Sequence, residues 1–203
     1  MNGVKIILLG KGKSIDKLNK GFILSHDYIA WANIHDCERY SDLIPRKVDY
    51  FFIREKYHID NSDDNVKEMI NSLDIPHVIL TANGNRVGVN KILKYNVKKH
   101  IQPEECGFNA STGVVAFNYL INLKPNILTV AGIDLYPENE ELYYFSNQNV
   151  EKSKPFRHFP EKSIEFIANK ITCNNNINFK YCTTNEKIKN RMKDIKNIEF
   201  IFN

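Results

Sequence analysis

Short apolar runs alternate along this chain with amphipathic stretches. Val4 to Leu9 is a β-branched and leucine run closed by Gly10-Lys-Gly-Lys-Ser14, the pattern of a buried strand entering a tight turn, with Ser14 placed to cap a following helix. Tyr28 to Ala32 reads as a second strand ending at Asn33, and Val48 to Ile53 as a third ending near Arg54. Asp64 to Leu73 carries Val66, Met69, Ile70 and Leu73 at the spacing of one helical face. Pro76 to Thr81 makes a fourth strand; Asn83-Gly-Asn then breaks the pattern and leaves the stretch before Ser111 unassigned.

Ser111-Thr-Gly113 opens a helix from Val114 to Leu123 that is apolar on more than one face. The run Ile127 to Ala131 follows as a strand delivering Gly132-Ile-Asp-Leu-Tyr136, an acid and an aromatic hydroxyl, at its carboxyl end. Residues 137 to 157 have no clear period, and their length suits either an active-site lid or an irregular loop. Pro160 fits the first turn of a helix running to about Ile171, with Ile164, Ile167, Ala168 and Ile171 on one stripe. Phe179 to Cys182, a basic helix and Ile198 to Phe202 complete the pattern. Strand and helix alternate throughout, which predicts one α/β domain over residues 1–203: a three-layer α/β/α, Rossmann-like sandwich with a mainly parallel sheet.

Composition narrows the function more than the fold. The 203 residues carry a formal net charge of +4 with the basic residues spread along the chain, so nucleic-acid binding is not implied. The densest basic run, Lys187 to Lys196, reads as a solvated helix face and leaves peripheral contact with an anionic membrane open. Cys37, Cys106, Cys173 and Cys182 form no C-x-x-C pair, which speaks against a zinc or thioredoxin-like site and for free thiols in a reducing compartment. The first ten residues lack a basic leader, and the expected location is cytoplasmic.

Several groups suit phosphate or sugar chemistry. Gly10 to Ser14 sits where glycines permit close backbone approach to a phosphate. It is not a Walker A loop, because Ile7 stands five residues before Gly12, nor a dinucleotide fingerprint, because Ile15 occupies the third glycine position. Ser111, Thr112 and Gly113 at a helix start suit capping, and equally a carboxylate or phosphate at the positive helix end. His158, two residues before Pro160, falls beside a helix N-terminus whose field keeps an imidazole neutral, as a general base requires. Asp63-Asp64 and Glu104-Glu105 do not close strongly predicted strands, so no metal site is assigned; without a Gly-x-Ser-x-Gly elbow, a hydrolase triad is unsupported.

In order, Gly10-x-Gly-x-Ser14, Asn33, Ser111-Thr-Gly113, Gly132-Ile-Asp-Leu-Tyr136 and His158 resemble the bacterial sialyltransferases of glycosyltransferase family 42. That resemblance implies a single Rossmann-like domain, a variant GT-A fold, that binds CMP-sialic acid and transfers the sugar with inversion and without a metal or other cofactor. Gly10, Lys11, Gly12, Ser14, Asn33 and Asp134 would then serve the donor nucleotide, and Asn109, Ser111, Thr112 and Gly113 the donor sugar. Tyr136 and one of Tyr143 or Tyr144 would hydrogen-bond the departing phosphate, and His158 would take the acceptor proton. The implied partners are a nucleotide-sugar donor and a glycan or glycolipid acceptor, and self-association is left open. Three departures stand out: Lys11 replaces the family's usual Asn, Asn109 lies near an expected Arg, and the chain is shorter. A pyrophosphokinase or NAD(P) reductase on a related sheet, and a non-catalytic nucleotide-binding protein, are the alternatives.

Overall fold

The computed structural model describes residues 3–32, 43, 47–53, 75–81, 97–101, 103–135 and 160–202. Among them lie β1 (Lys5–Leu9), α1 (Lys20–Leu24), β2 (Tyr28–Ala32), β3 (Tyr50–Ile53), β4 (His77–Leu80) and β5 (Val97–His100). These are followed by α2 (Thr112–Ile121), β6 (Ile127–Ala131), α3 (Pro160–Cys173), β7 (Asn178–Cys182), α4 (Glu186–Met192) and β8 (Ile198–Phe200). The eight strands form one sheet in the order β5-β4-β3-β2-β1-β6-β7-β8, and every pairing along it is parallel. The chain is an α/β fold with helices on both faces of the sheet, as its alternation predicts.

A parallel sheet covered on both faces needs strands that are apolar throughout, and β1 shows why. Ile6 and Leu8 project into the core shared with α2, α3 and α4, while Ile7 and Leu9 project into the core beneath α1. None of the four is more than 1% exposed, so β1 can occupy only the centre of the sheet. Eight of the ten residues of α2 are buried because it packs against the sheet and α3, which accounts for its lack of a clean polar face.

The amino ends of the strands are stitched by one repeated device. Asp27 accepts the Lys5 N–H at 2.8 Å and donates its own N–H to Lys5 O; Asp49 does the same with Ile29, accepting at 2.9 Å. A one-residue slip would turn apolar side chains to the wrong face and break both bridges, so they reinforce the register of β1 with β2 and of β2 with β3. Asp49 also delays β3, which starts at Tyr50 rather than Val48.

Other expectations need correction. Ser14 does not cap a helix: it lies inside a turn of 3-10 helix, Lys13–Lys17, and α1 is capped by Asn19, whose Oδ1 accepts the Phe22 N–H at 2.9 Å. At five residues α1 is too short to show a period. The unassigned stretch contains β5, an edge strand carrying Lys98 and Lys99, and charge is tolerated at an edge where a central strand would exclude it. The basic helix α4 ends at Met192, so Lys193 and Lys196 lie beyond it, and β8 stops at Phe200. The helix expected over Asp64 to Leu73 and the candidate lid lie outside the described residues. Among the described residues no helix is long and apolar enough to cross a membrane.

One polar contact in the layer below α1 makes stability depend on pH. His26 Nδ1 lies 3.0 Å from Phe22 O and Nε2 lies 2.8 Å from Thr129 Oγ1, so a neutral ring donates at Nδ1 and accepts at Nε2. Burial lowers its pKa, opposed by the Phe22 and Ile23 carbonyls and aided by Lys5 and Lys180. Because the folded state binds the proton more weakly than the unfolded chain, this contribution is complete above about pH 6.5 and is lost as pH falls below it. Urea titrations of wild type and His26→Gln between pH 5 and 8 should show a fall in stability below about pH 6.5 that the variant lacks; parallel curves would refute the assignment.

Candidate active site

The strand order reverses between β1 and β6, since β2 to β5 extend to one side of β1 and β6 to β8 to the other. In an open parallel sheet such a switch point leaves a crevice beyond the carboxyl ends of the two strands. Gly10 to Ser14 leaves β1 at this point and Gly132 to Leu135 leaves β6 beside it. The two segments singled out from the sequence are thus neighbours in space.

They are joined by a dense set of bonds. Gly10 N–H donates to Ala131 O at 2.7 Å, Gly12 N–H to Gly132 O at 2.8 Å, and Gly132 N–H to Ser14 Oγ at 2.8 Å. Asp134, 6% exposed, is the hub. Its Oδ2 accepts the Ser14 N–H at 3.0 Å, and its Oδ1 accepts the Thr183 hydroxyl at 2.8 Å and the Thr184 N–H at 3.3 Å. Asn185 Nδ2 donates to Asp134 O at 2.8 Å while Asn185 Oδ1 caps α4 through the Lys187 N–H. Tyr181 donates to Ile133 O at 2.9 Å and Cys182 to Ser14 O at 3.3 Å. Burial raises the pKa of both, that of Cys182 to about 11, with Asp134 adding to the rise, so both stay protonated as donors. The loops after β1, β6 and β7 form one clasp, and a buried carboxylate with three donors is the economical way to hold them.

Two glycines make this approach feasible. Gly132 has φ +72°, and a Cβ there would stand 2.7 Å from Gly10 C, so both conformation and space exclude a side chain. A Cβ on Gly12 would overlap the Asp134 carboxylate. Leu135, buried with φ +52°, is a left-handed residue without glycine's tolerance, a conformation that costs of the order of 1–3 kcal/mol. It turns the chain immediately before Tyr136.

The amino end of α2 borders the same region. Ser111 occupies its N-cap position, yet its hydroxyl makes no capping bond. The first-turn N–H groups thus lack the usual side-chain partner and present the positive end of the helix. Gly113 packs on Ile133, where an added Cβ would meet Ile133 Cδ1 at 2.5 Å, which ties the turn to the loop after β6. Thr112 is buried and its hydroxyl lies 3.2 Å from that of Thr81. Asn109 is half-buried one turn of chain earlier.

Lys11 rides between the pinned Gly10 and Gly12. Part of its surface remains exposed, but the surrounding protein removes enough water that burial pushes its ammonium pKa down to about 7. Ser14, by contrast, is turned fully inward and spends its hydroxyl on Gly132. Among the described residues no group of three or more His, Cys, Asp or Glu side chains is arranged to hold a metal. Asn33, Tyr136, Tyr143, Tyr144 and His158 lie outside the described residues.

No family model matches the chain, and no curated protein matches it. Solved structures do. A variant of the sialyltransferase CST-II in complex with CMP superposes with a TM-score of 0.60 at 14% identity, over 95% of this chain and 87% of that one. The monofunctional α-2,3-sialyltransferase Cst-I from Campylobacter jejuni gives 0.59 at 16%, over 96% and 81%. CST-II in complex with a trisaccharide acceptor and CMP gives 0.53 at 15%, over 95% and 86%. The chain has the fold of these sialyltransferases.

Within that sialyltransferase fold, sequence reasoning found the loops after β1 and β6 but missed the third side of the clasp. Thr183, Thr184 and Asn185 follow β7 directly, and a Thr-Thr-Asn cluster between a strand and a helix is a recognisable capping signal. Nothing local reveals that its hydroxyl and amide turn back to Asp134, or that Thr81 reaches Thr112. Gly12→Ala should drive a methyl group into the Asp134 carboxylate and lower stability by about 1–3 kcal/mol in urea unfolding, whereas Gly107→Ala, with no heavy atom near its Cβ, has only its backbone strain at φ +82° to bear. Equal midpoints for Gly12→Ala and wild type would show that the clasp is looser than described.

Proposed function

We propose that this protein transfers a sugar, with sialic acid first among the candidates, from a CMP-linked donor to a glycan hydroxyl, with inversion and without a metal. The observation that carries this reading is the clasp at the β1/β6 switch point, which sets a glycine loop and the amino end of α2 side by side beyond the carboxyl ends of the strands. The likeness in fold to sialyltransferases solved with CMP supports it.

In this reading the loop Gly10–Gly12 approaches the donor phosphate through its backbone, and Lys11, whose ammonium burial makes easier to deprotonate, is held in its charged form by the negative charge of the bound donor. Asp134 acts indirectly: its oxygens are committed to Ser14, Thr183 and Thr184, so it shapes the cradle. Ser111 and the first turn of α2 face the sugar carboxylate, which matches an uncommitted hydroxyl and a positive helix end. His158 takes the proton of the acceptor hydroxyl as its oxygen attacks the anomeric carbon from the side opposite the leaving group. The bond from that carbon to the phosphate oxygen breaks, and CMP departs with the electron pair. Tyr136, with Tyr143 or Tyr144, donates to the phosphate, whose charge grows as the bond breaks, so these bonds strengthen toward the transition state. A glycan or glycolipid supplies the acceptor hydroxyl.

Incubation with a panel of CMP- and UDP-sugars and glycan acceptors, followed by mass spectrometry, should show acceptor-dependent release of CMP and none of UDP. Magnesium-dependent stabilisation by ATP, or stabilisation by NADPH, with no response to CMP would overturn the reading. His158→Ala, once shown to fold by circular dichroism, should transfer sugar about 10²–10⁴-fold more slowly; a wild-type rate would remove His158 as the base.

A further inference from the structure

We propose that Thr81 is a positioning residue for the sugar half of this site, acting through Thr112 to set the direction of the first turn of α2; the inference rests on the CMP-sugar reading above. Thr81 directly follows β4 and is buried. Its N–H donates to Ile53 O at 2.9 Å, and its hydroxyl lies 3.2 Å from Thr112 Oγ1 and 3.4 Å from the same Ile53 carbonyl. A hydroxyl has one proton to give. Thr112 Oγ1 is the nearer of the two acceptors, so the Thr81 proton is directed to Thr112, and a side chain anchored to β3 and β4 grips the first residue of α2.

The opposite side of that turn is held by the packing of Gly113 on Ile133. The turn is thus fixed from two directions, by the end of β4 and by the loop after β6, while the Ser111 hydroxyl between them makes no capping bond. None of the bonds that close the nucleotide-side clasp involves Thr81 or Thr112. Replacing the Thr81 hydroxyl by a methyl group leaves a buried Thr112 oxygen without its partner and releases one of the two restraints. The damage should therefore fall on contacts to the sugar and spare contacts to the nucleotide.

The test compares wild type, Thr81→Val and Thr81→Ser as the full chain, using CMP and intact CMP-sialic acid as probes in calorimetry and in transfer assays. Thr81→Val should raise the KM or Kd for CMP-sialic acid about tenfold while changing the Kd for CMP by less than about twofold, and Thr81→Ser should restore both. If Thr81→Val does not fold, Thr81→Ala removes the same hydroxyl and should give the same selective loss. The inference is overturned if CMP-sialic acid binding is unchanged, if CMP weakens in proportion, or if Thr81→Ser behaves like Thr81→Val. Wild type that binds both probes without transferring sugar would sink the transfer reading, and a selective loss in Thr81→Val would then still support the positioning role. Wild type that binds neither overturns both.

Discussion

The buried carboxylate of Asp134 is the point on which this candidate active-site region depends. Burying a carboxylate is costly unless its oxygens are hydrogen-bonded, so it must be surrounded by donors, and those donors belong to two loops other than its own. Satisfying one charge therefore brings the ends of β1, β6 and β7 into a single arrangement. The positive φ of Gly132, the missing Cβ of Gly12 and the left-handed turn at Leu135 follow from how closely those loops must approach. Remove the carboxylate and Ser14, Thr183 and Thr184 each lose an acceptor at once.

The rest of the site is arranged around that clasp in two halves. On the β1 side the backbone of the glycine loop is rigid while the Lys11 side chain stands at its rim, its charge made sensitive to surroundings by partial burial. On the α2 side the helix is held by the Thr81–Thr112 hydroxyl pair and by Ile133 packed on Gly113, with no capping bond from Ser111. A ligand spanning the halves would meet a rigid backbone cradle at one end and a helix terminus at the other.

Much of this was legible from the chain. The continuous apolar runs of β1 and β6 marked buried parallel strands, because side chains on both faces must be apolar there. Gly10, Gly12, Gly132 and Asp134 stood out because glycines after a buried strand permit close backbone approach and an acid at a strand's carboxyl end lies where parallel sheets bind ligands. Residues whose roles are carried by distant partners escaped notice. Ser14 reads as a cap and is a bridge; Thr112 accepts a bond from Thr81 that its position at a helix start does not announce; Thr183 and Asn185, which carry no signal of that role in the sequence, close the clasp. The strand β5, whose charge suits an edge, carried no apolar signal to find.

The amino-acid sequence by itself determined the class of fold, the central place of β1 and β6 and the two loops that flank the crevice. All of these follow from hydrophobic periodicity and the special geometry of glycine, which act over a few residues. Only the tertiary structure decided which polar groups are spent and which are left for a ligand. Asp134 is 120 residues from Ser14 and 49 from Thr183, and Thr81 is 31 from Thr112. Hydrogen bonds over such separations exist only once the sheet has brought the strand ends together, so no local pattern can announce them.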